Sequence, residues 1–78
     1  MKHIDWDLVL EELRYNLRQK MQADYAYELE GAAHSPYTFE IFDLQEQIGC
    51  IEQEKYEEAY ALIVDEWGED FFEDYLLQ

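Results

Sequence analysis

Residues 51–78 combine acidic and apolar residues at helical spacings, and this pattern constrains the fold more than any other part of the sequence. The stretch carries ten carboxylates and a single basic residue, Lys55. Its apolar residues recur at steps of three and four, which is the period of an α-helix with one buried face. A disordered acidic tail has too few apolar residues to make such a face. We therefore expect residues 51–78 to be folded.

Gly68 divides this stretch into two amphipathic pieces, for which we predict helices at 52–67 and 69–77. The predicted buried stripe of the first piece consists of Tyr56, Ala59, Tyr60, Ile63 and Trp67. The predicted apolar side of the second piece consists of Phe71, Phe72, Tyr75 and Leu76. Acids occupy the opposite side of each piece, so both helices are expected to present carboxylates to solvent.

The N-terminal part of the chain predicts a long first helix over 5–30, with Asp5 as its N-terminal cap and Gly31 just beyond its end. Leu8 and Tyr15 lie outside its apolar stripe, and Asp24 projects onto that stripe. We expect the helix either to bend near Asp24 or to let its carboxylate reach solvent, and we favour a helix that turns out of the core. The predicted stripe consists of Trp6, Val9, Leu10, Leu13, Leu17 and Met21.

The second helix is predicted over 36–48, after a loop at 31–35. Pro36 suits the first position of a helix capped by Ser35, and Gly49 suits its end. The predicted stripe consists of Tyr37, Ile41, Leu44, Ile48 and Ile51, whereas Phe39 and Phe42 point elsewhere. A helix that is apolar on two sides is expected to lie centrally. A strand over 37–42 is the alternative, and we favour the helix because a lone strand has no partner for its backbone.

Together these patterns predict one all-α domain over residues 1–78, a compact bundle of four helices. The net charge of −15 opposes direct binding to nucleic acid or to anionic lipid. No apolar run approaches the roughly 20 residues that cross a bilayer, so we expect a cytoplasmic protein. The single cysteine, Cys50, excludes an internal disulfide and is expected to be a small buried apolar residue.

The sequence contains no pattern that indicates an enzyme, a cofactor or a metal site. Residues 65–70 are rich in carboxylates, but they lack the ligand spacing of an EF-hand loop. No H-E-x-x-H motif and no phosphate-binding glycine loop is present. His3 and His34 are expected to be solvated. We therefore predict no catalytic residue, no cofactor and no bound metal.

The acidic rows are the strongest functional signal, because like charges three or four residues apart on a helix repel each other. Lysines would normally relieve this repulsion, yet only Lys55 follows Met21. A highly charged surface can serve solubility alone, although −15 is a large charge for 78 residues. We favour a recognition surface for a basic partner. The candidate partner-binding residues are Glu54, Glu58, Asp65, Glu66, Glu69, Asp70, Glu73 and Asp74.

Carboxylates on neighbouring helical turns lie about 5–6 Å apart, which is comparable to the spacing of phosphates along a strand. In composition and in these rows, the chain resembles small acidic phage-encoded anti-defence proteins, namely anti-CRISPR proteins and anti-restriction DNA mimics. The resemblance implies a non-enzymatic inhibitor in the host cytosol. Such an inhibitor occupies the nucleic-acid site of a basic host protein or nuclease complex.

Two other functions are compatible with the sequence. An immunity or antitoxin protein would neutralise a basic toxin, with Tyr15, Tyr25 and Tyr27 as candidate aromatic anchors. A homodimer would bury Leu8 and Tyr15 and present a doubled acidic surface.

Overall fold

Three α-helices and one 3-10 helix make up the computed structural model, which describes residues 3–31 and 35–77. In chain order they are α1 (Trp6–Leu29), α2 (Thr38–Glu52), α3 (Tyr56–Trp67) and the 3-10 helix (Glu69–Tyr75). These ranges contain no strand, only an isolated antiparallel bridge between Ile4 and Leu76. The predicted all-α bundle of four helices is confirmed. Within the same ranges, none of the helices is both long and apolar enough to cross a bilayer.

The start of α1 follows the prediction, because the Asp5 carboxylate accepts a hydrogen bond from the Leu8 amide at 3.3 Å. Val9 and Leu13 of the predicted stripe are buried in the core. Met21 was also predicted on that stripe, but its side chain is 49% exposed. The stripe is therefore buried only in the first half of α1, and the second half extends past the core.

Both predicted ends of the second helix were wrong. Ser35 does not cap a helix at Pro36; its hydroxyl accepts from the Tyr37 amide at 3.1 Å, and α2 begins at Thr38 after a turn. Gly49 lies inside α2, which continues to Glu52. The helix passes through the glycine because burial of apolar residues on both sides of it outweighs the roughly 1 kcal/mol that glycine costs in a helix. The buried apolar residues of α2 are Leu44, Ile48 and Ile51.

Phe39 and Phe42 do not give α2 a second buried side. They are 80% and 60% exposed, so α2 packs on α1 and α3 with one face and leaves the other in solvent. The alternative strand over 37–42 is also wrong, because residues 38–42 are helical. Residues 32–34 of the predicted loop, including His34, lie outside the described residues.

The third helix begins four residues later than predicted, because Glu52 still belongs to α2. A turn separates the two helices, with the Lys55 amide donating to the Cys50 carbonyl at 2.8 Å. Glu54 adopts a φ of 61° in this turn, which is unusual for a residue with a side chain. Gly68 ends α3 with a φ of 87°, as its predicted role as a break requires.

The core lies where the first half of α1 meets the second half of α2, α3 and the 3-10 helix. An aromatic group closes it, with the Trp6 ring 5.2 Å from Tyr56 and 5.7 Å from Phe72. Tyr60 stacks on Phe72 at 4.9 Å. Cys50 is half-buried and packs against this core. The core residues are Ile4, Val9, Leu13, Leu44, Ile48, Ile51, Ala59, Ile63 and Phe72.

The last predicted helix is a 3-10 helix that ends at Tyr75 instead of residue 77. Its predicted apolar side does face inward: Phe72 is buried, and Phe71, Tyr75 and Leu76 are half-buried. The Asp5 amide donates to the Tyr75 carbonyl at 2.7 Å, which ties this helix to the start of α1.

A candidate acidic recognition surface

All eight predicted partner-binding acids are exposed, but the fold distributes them over several surfaces. Glu54 lies in the turn before α3, and Glu58, Asp65 and Glu66 lie on α3. The other four follow Gly68 on the 3-10 helix, where the chain has changed direction. The single continuous surface that the sequence suggests is therefore divided.

Glu58 and Asp65 line a groove between α2 and α3, together with Glu46 of α2. The floor of this α2–α3 groove is formed by Cys50, Ala61 and Leu62. Three carboxylates thus border a small apolar floor. Sequence reasoning missed Glu46, because it predicted that the Phe42 side of α2 is apolar and did not predict which side of α2 faces α3.

Glu69, Asp70 and Glu73 line a second groove, whose apolar wall is formed by Ile4, Tyr60, Phe72 and Leu76. A 3-10 helix has about three residues per turn, so Asp70 and Glu73 lie one above the other. We call Glu69, Asp70 and Glu73 the 3-10 acidic row.

Asp74 faces a different side of the 3-10 helix. Burial raises the pKa of the Tyr75 hydroxyl, and repulsion from Glu12 of α1 and from Asp74 raises it further. With about three residues per turn, Asp74 lies about 120° around the 3-10 helix from Glu73, and it does not line the second groove. The predicted grouping of Asp74 with the 3-10 acidic row is therefore not seen.

Glu66 turns toward α2 and does not extend the outer row of α3. The buried Gln47 donates from Nε2 to Glu66 Oε2 at 2.6 Å. Burial raises the pKa of the Glu66 carboxyl, and this hydrogen bond partly opposes the rise. The negative charges of Asp43, Glu40 and Asp65 raise the pKa further. Sequence reasoning missed Gln47, because a glutamine at a helical core position gives no functional signal by itself.

None of the eight acids forms a salt bridge within residues 3–31 and 35–77. The two salt bridges of these ranges join Arg14 to Glu52 and Lys20 to Glu40, each at 3.0 Å. Lys55 is beside several acids in the sequence but forms no ion pair with them in the described structure. Apart from Glu66, which accepts from Gln47, the predicted carboxylates of α3 and the 3-10 helix thus remain available to an external cation.

The described residues show no group of three or more His, Cys, Asp or Glu side chains arranged to hold a metal ion. Exposed carboxylates lie next to apolar residues in both grooves. Such surfaces can attract and orient cationic groups.

Comparison with known proteins identifies no relative. No protein-family model, no curated protein and no solved structure matches the chain.

Proposed function

We propose that this protein is a non-enzymatic inhibitor that binds a basic, nucleic-acid-binding host protein or nuclease complex in the cytoplasm. The carboxylates of α3 and the 3-10 helix take the place of nucleic-acid phosphates, in the manner of an anti-CRISPR protein or DNA mimic. The observation that carries the proposal is the exposure of these carboxylates on helices without an intramolecular cation in the described residues.

Helical placement supports mimicry because it holds charges at defined separations. Both helices that carry the acids also contribute buried apolar residues, Ala59 and Ile63 from α3 and Phe72 from the 3-10 helix. A carboxylate on an anchored helix loses less conformational freedom on binding than one on a flexible tail. Electrostatic attraction to a basic cleft accelerates association, and added salt weakens it.

An immunity or antitoxin function is the second candidate, and it is favoured by exposed aromatic side chains. Tyr15 and Tyr25 are exposed on α1, and aromatic residues are frequent anchors of protein interfaces. A homodimer through Leu8 and Tyr15 is less favoured, because it would bring together two molecules that each carry a net charge of −15.

The test begins with capture of partners from a host lysate at low salt, elution at high salt and identification of the eluted proteins. The captured protein is then titrated with labelled nucleic acid in the presence of the inhibitor. We expect the wild-type protein to compete with the nucleic acid for the partner. We expect competition to be about tenfold or more weaker for a variant with Glu69→Gln, Asp70→Asn, Glu73→Gln and Asp74→Asn. This corresponds to about 1.4 kcal/mol spread over four charges.

The matched control removes four acids from α1 and its C-terminal cap, with Glu11→Gln, Asp24→Asn, Glu28→Gln and Glu30→Gln. It changes the net charge equally, so it separates the acidic surface from the total charge. We expect it to compete nearly as well as the wild type, with helicity of both variants checked by circular dichroism. Full competition by the first variant would contradict the proposal.

A further inference from the structure

We propose that the outer face of α2 and the α2–α3 groove together dock a basic amphipathic helix of a partner protein. The apolar stripe of that helix contacts Phe39 and Phe42, and its lysines and arginines contact the surrounding carboxylates. The inference rests on the proposed function only for the basic character of the partner.

Two aromatic rings on the outer face of α2 are exposed to solvent and make no contact with the hydrophobic core of the described residues. Phe39 and Phe42 are 80% and 60% exposed and are three residues apart, so they are neighbours on the helix surface. Neither ring belongs to the core or packs against it. Exposed rings of this size that lie together mark interaction sites.

The surface continues from these rings along α2, past the Glu46 carboxylate, to the apolar floor of the α2–α3 groove. With about 100° of rotation per residue, Phe39, Phe42, Glu46 and Cys50 fall within about 100° of one another around α2. Cys50 belongs to the groove floor with Ala61 and Leu62. From Phe39 to Cys50 the surface is about 16 Å long, which matches three turns of a docked helix.

Carboxylates lie along this surface and on its α3 side. Asp43 and Glu46 follow the two phenylalanines by four residues each on α2 and are exposed. Glu58 and Asp65 line the groove opposite Glu46, from α3. A partner therefore needs an apolar stripe with cationic side chains beside it.

This charge pattern selects the occupant. A second copy of the chain would place like charges opposite each other, because its own net charge is −15. A purely cationic extended peptide would satisfy the carboxylates but leave the rings in water. An amphipathic helix presents apolar residues at i, i+3, i+4 and i+7 with lysines and arginines beside them, which is the pattern required here.

The probe is a synthetic helical peptide of about 18 residues, or five turns, with leucines on one stripe and lysines and arginines elsewhere. A scrambled peptide of the same composition keeps the charge and loses the stripe. Affinities are measured by fluorescence anisotropy at low and at physiological ionic strength. We expect the amphipathic peptide to bind at least about tenfold tighter than the scrambled one.

The decisive variant is Phe39→Ser with Phe42→Ser, and its matched control is Met21→Ser with Leu29→Ser. The control residues are 49% and 71% exposed, and they lie on α1. We expect the first variant to weaken peptide binding by about tenfold or more, since burial of each ring contributes to binding. We expect the control to bind within about twofold of the wild type.

Equal peptide affinity of the wild type and the Phe39→Ser/Phe42→Ser variant would overturn the inference, as would equal binding of the two peptides. A dimer of the free protein that the same substitutions abolish, measured by sedimentation, would overturn it in favour of a second copy. The proposed function is tested by a different variant, in which residues 69, 70, 73 and 74 are neutralised. It fails if that variant still competes fully with nucleic acid.

Discussion

The two ends of this molecule are stabilised in different ways. The core end comprises Ile4, the first half of α1, the second half of α2, α3 and the 3-10 helix, and it contains every residue of the hydrophobic core. The hairpin end comprises residues 18–31 and 35–43, and none of its residues is buried. It is held by the Lys20–Glu40 ion pair, by Lys20 lying 5.0 Å from the Tyr37 ring centre, and by an edge contact between Tyr27 and Tyr37.

This difference shows how a small domain can present an apolar surface without weakening its core. Exposed ion pairs and aromatic contacts contribute about 1 kcal/mol or less each, so the hairpin end adds little to the free energy of unfolding. Phe39 and Phe42 belong to that end, and their rings are free to contact a partner. The described residues measure 47 by 22 by 19 Å along their principal axes.

The largest expected effect comes from truncating a leucine in each half of α1, one at the core end and one at the hairpin end. Leu13 is fully buried, and Leu29 is 71% exposed. We expect Leu13→Ala to lower the free energy of unfolding by about 2–5 kcal/mol through lost burial and a cavity. Leu29→Ala should change it by less than about 0.5 kcal/mol. Urea denaturation followed by circular dichroism measures both, and similar losses would contradict the division into two ends.

A smaller effect is expected from alanine at two glycines of the core end. Gly68 has a φ of 87° and a ψ of 164°, a region that residues with side chains rarely occupy. We expect Gly68→Ala to destabilise the fold by about 1–3 kcal/mol. Gly49 is helical, and an added methyl group would meet no atom within 4 Å. We expect Gly49→Ala to stabilise by about 0.5–1 kcal/mol. Thermal unfolding shows whether each substitution raises or lowers stability. A change in the same direction for both would contradict the different backbone conformations of Gly49 and Gly68.

The smallest effect concerns Glu66, which lies where the two ends meet. Its pKa is raised above 4.5 in the folded state, so the folded protein holds this proton to higher pH than the unfolded chain. This contribution to stability is therefore present below pH 4.5 and is lost as pH rises through the folded pKa.

Glu66→Gln keeps an acceptor for Gln47 and removes the charge. We expect it to stabilise the protein at neutral pH by a few tenths of a kcal/mol, since Glu66 is largely solvent-screened. Denaturation at a series of pH values should give a flatter decline for the variant between pH 4.5 and neutrality. An unchanged pH dependence would show that the raised pKa has no effect on stability.

Helical periodicity predicted the fold class and both ends of α1, because a side-chain cap at Asp5 and a glycine at Gly31 mark those ends locally. It failed at the ends of α2, where tertiary contacts decide. Ile48 and Ile51 are buried on either side of Gly49, and their burial keeps the chain helical through the glycine. The following turn places Glu54 at a positive φ. This conformation cannot be predicted from a glutamate in the sequence, because residues with side chains rarely adopt it.

The candidate surface was predicted in composition but not in arrangement. Exposure of the eight acids followed from their positions opposite the apolar stripes. Five of the eight line two separate grooves, and Glu54, Glu66 and Asp74 lie outside both. This division depends on the change of direction at Gly68 and on 3-10 geometry, neither of which a helical wheel represents. The role of Glu46 required knowing that α3 packs beside Cys50, a contact between residues distant in the chain.

The pairing of Ile4 with Leu76 also has a consequence for the unfolded chain. The Leu77 amide donates to the His3 carbonyl at 2.9 Å, so residues 3 and 77 are adjacent in the folded protein. This contact closes a loop spanning nearly the whole described chain, and closing so long a loop carries a large entropic cost. A covalent link between residues 3 and 77 would lower the conformational entropy of the unfolded chain and so stabilise the folded protein. It would require little movement of the native backbone, because these residues are already adjacent.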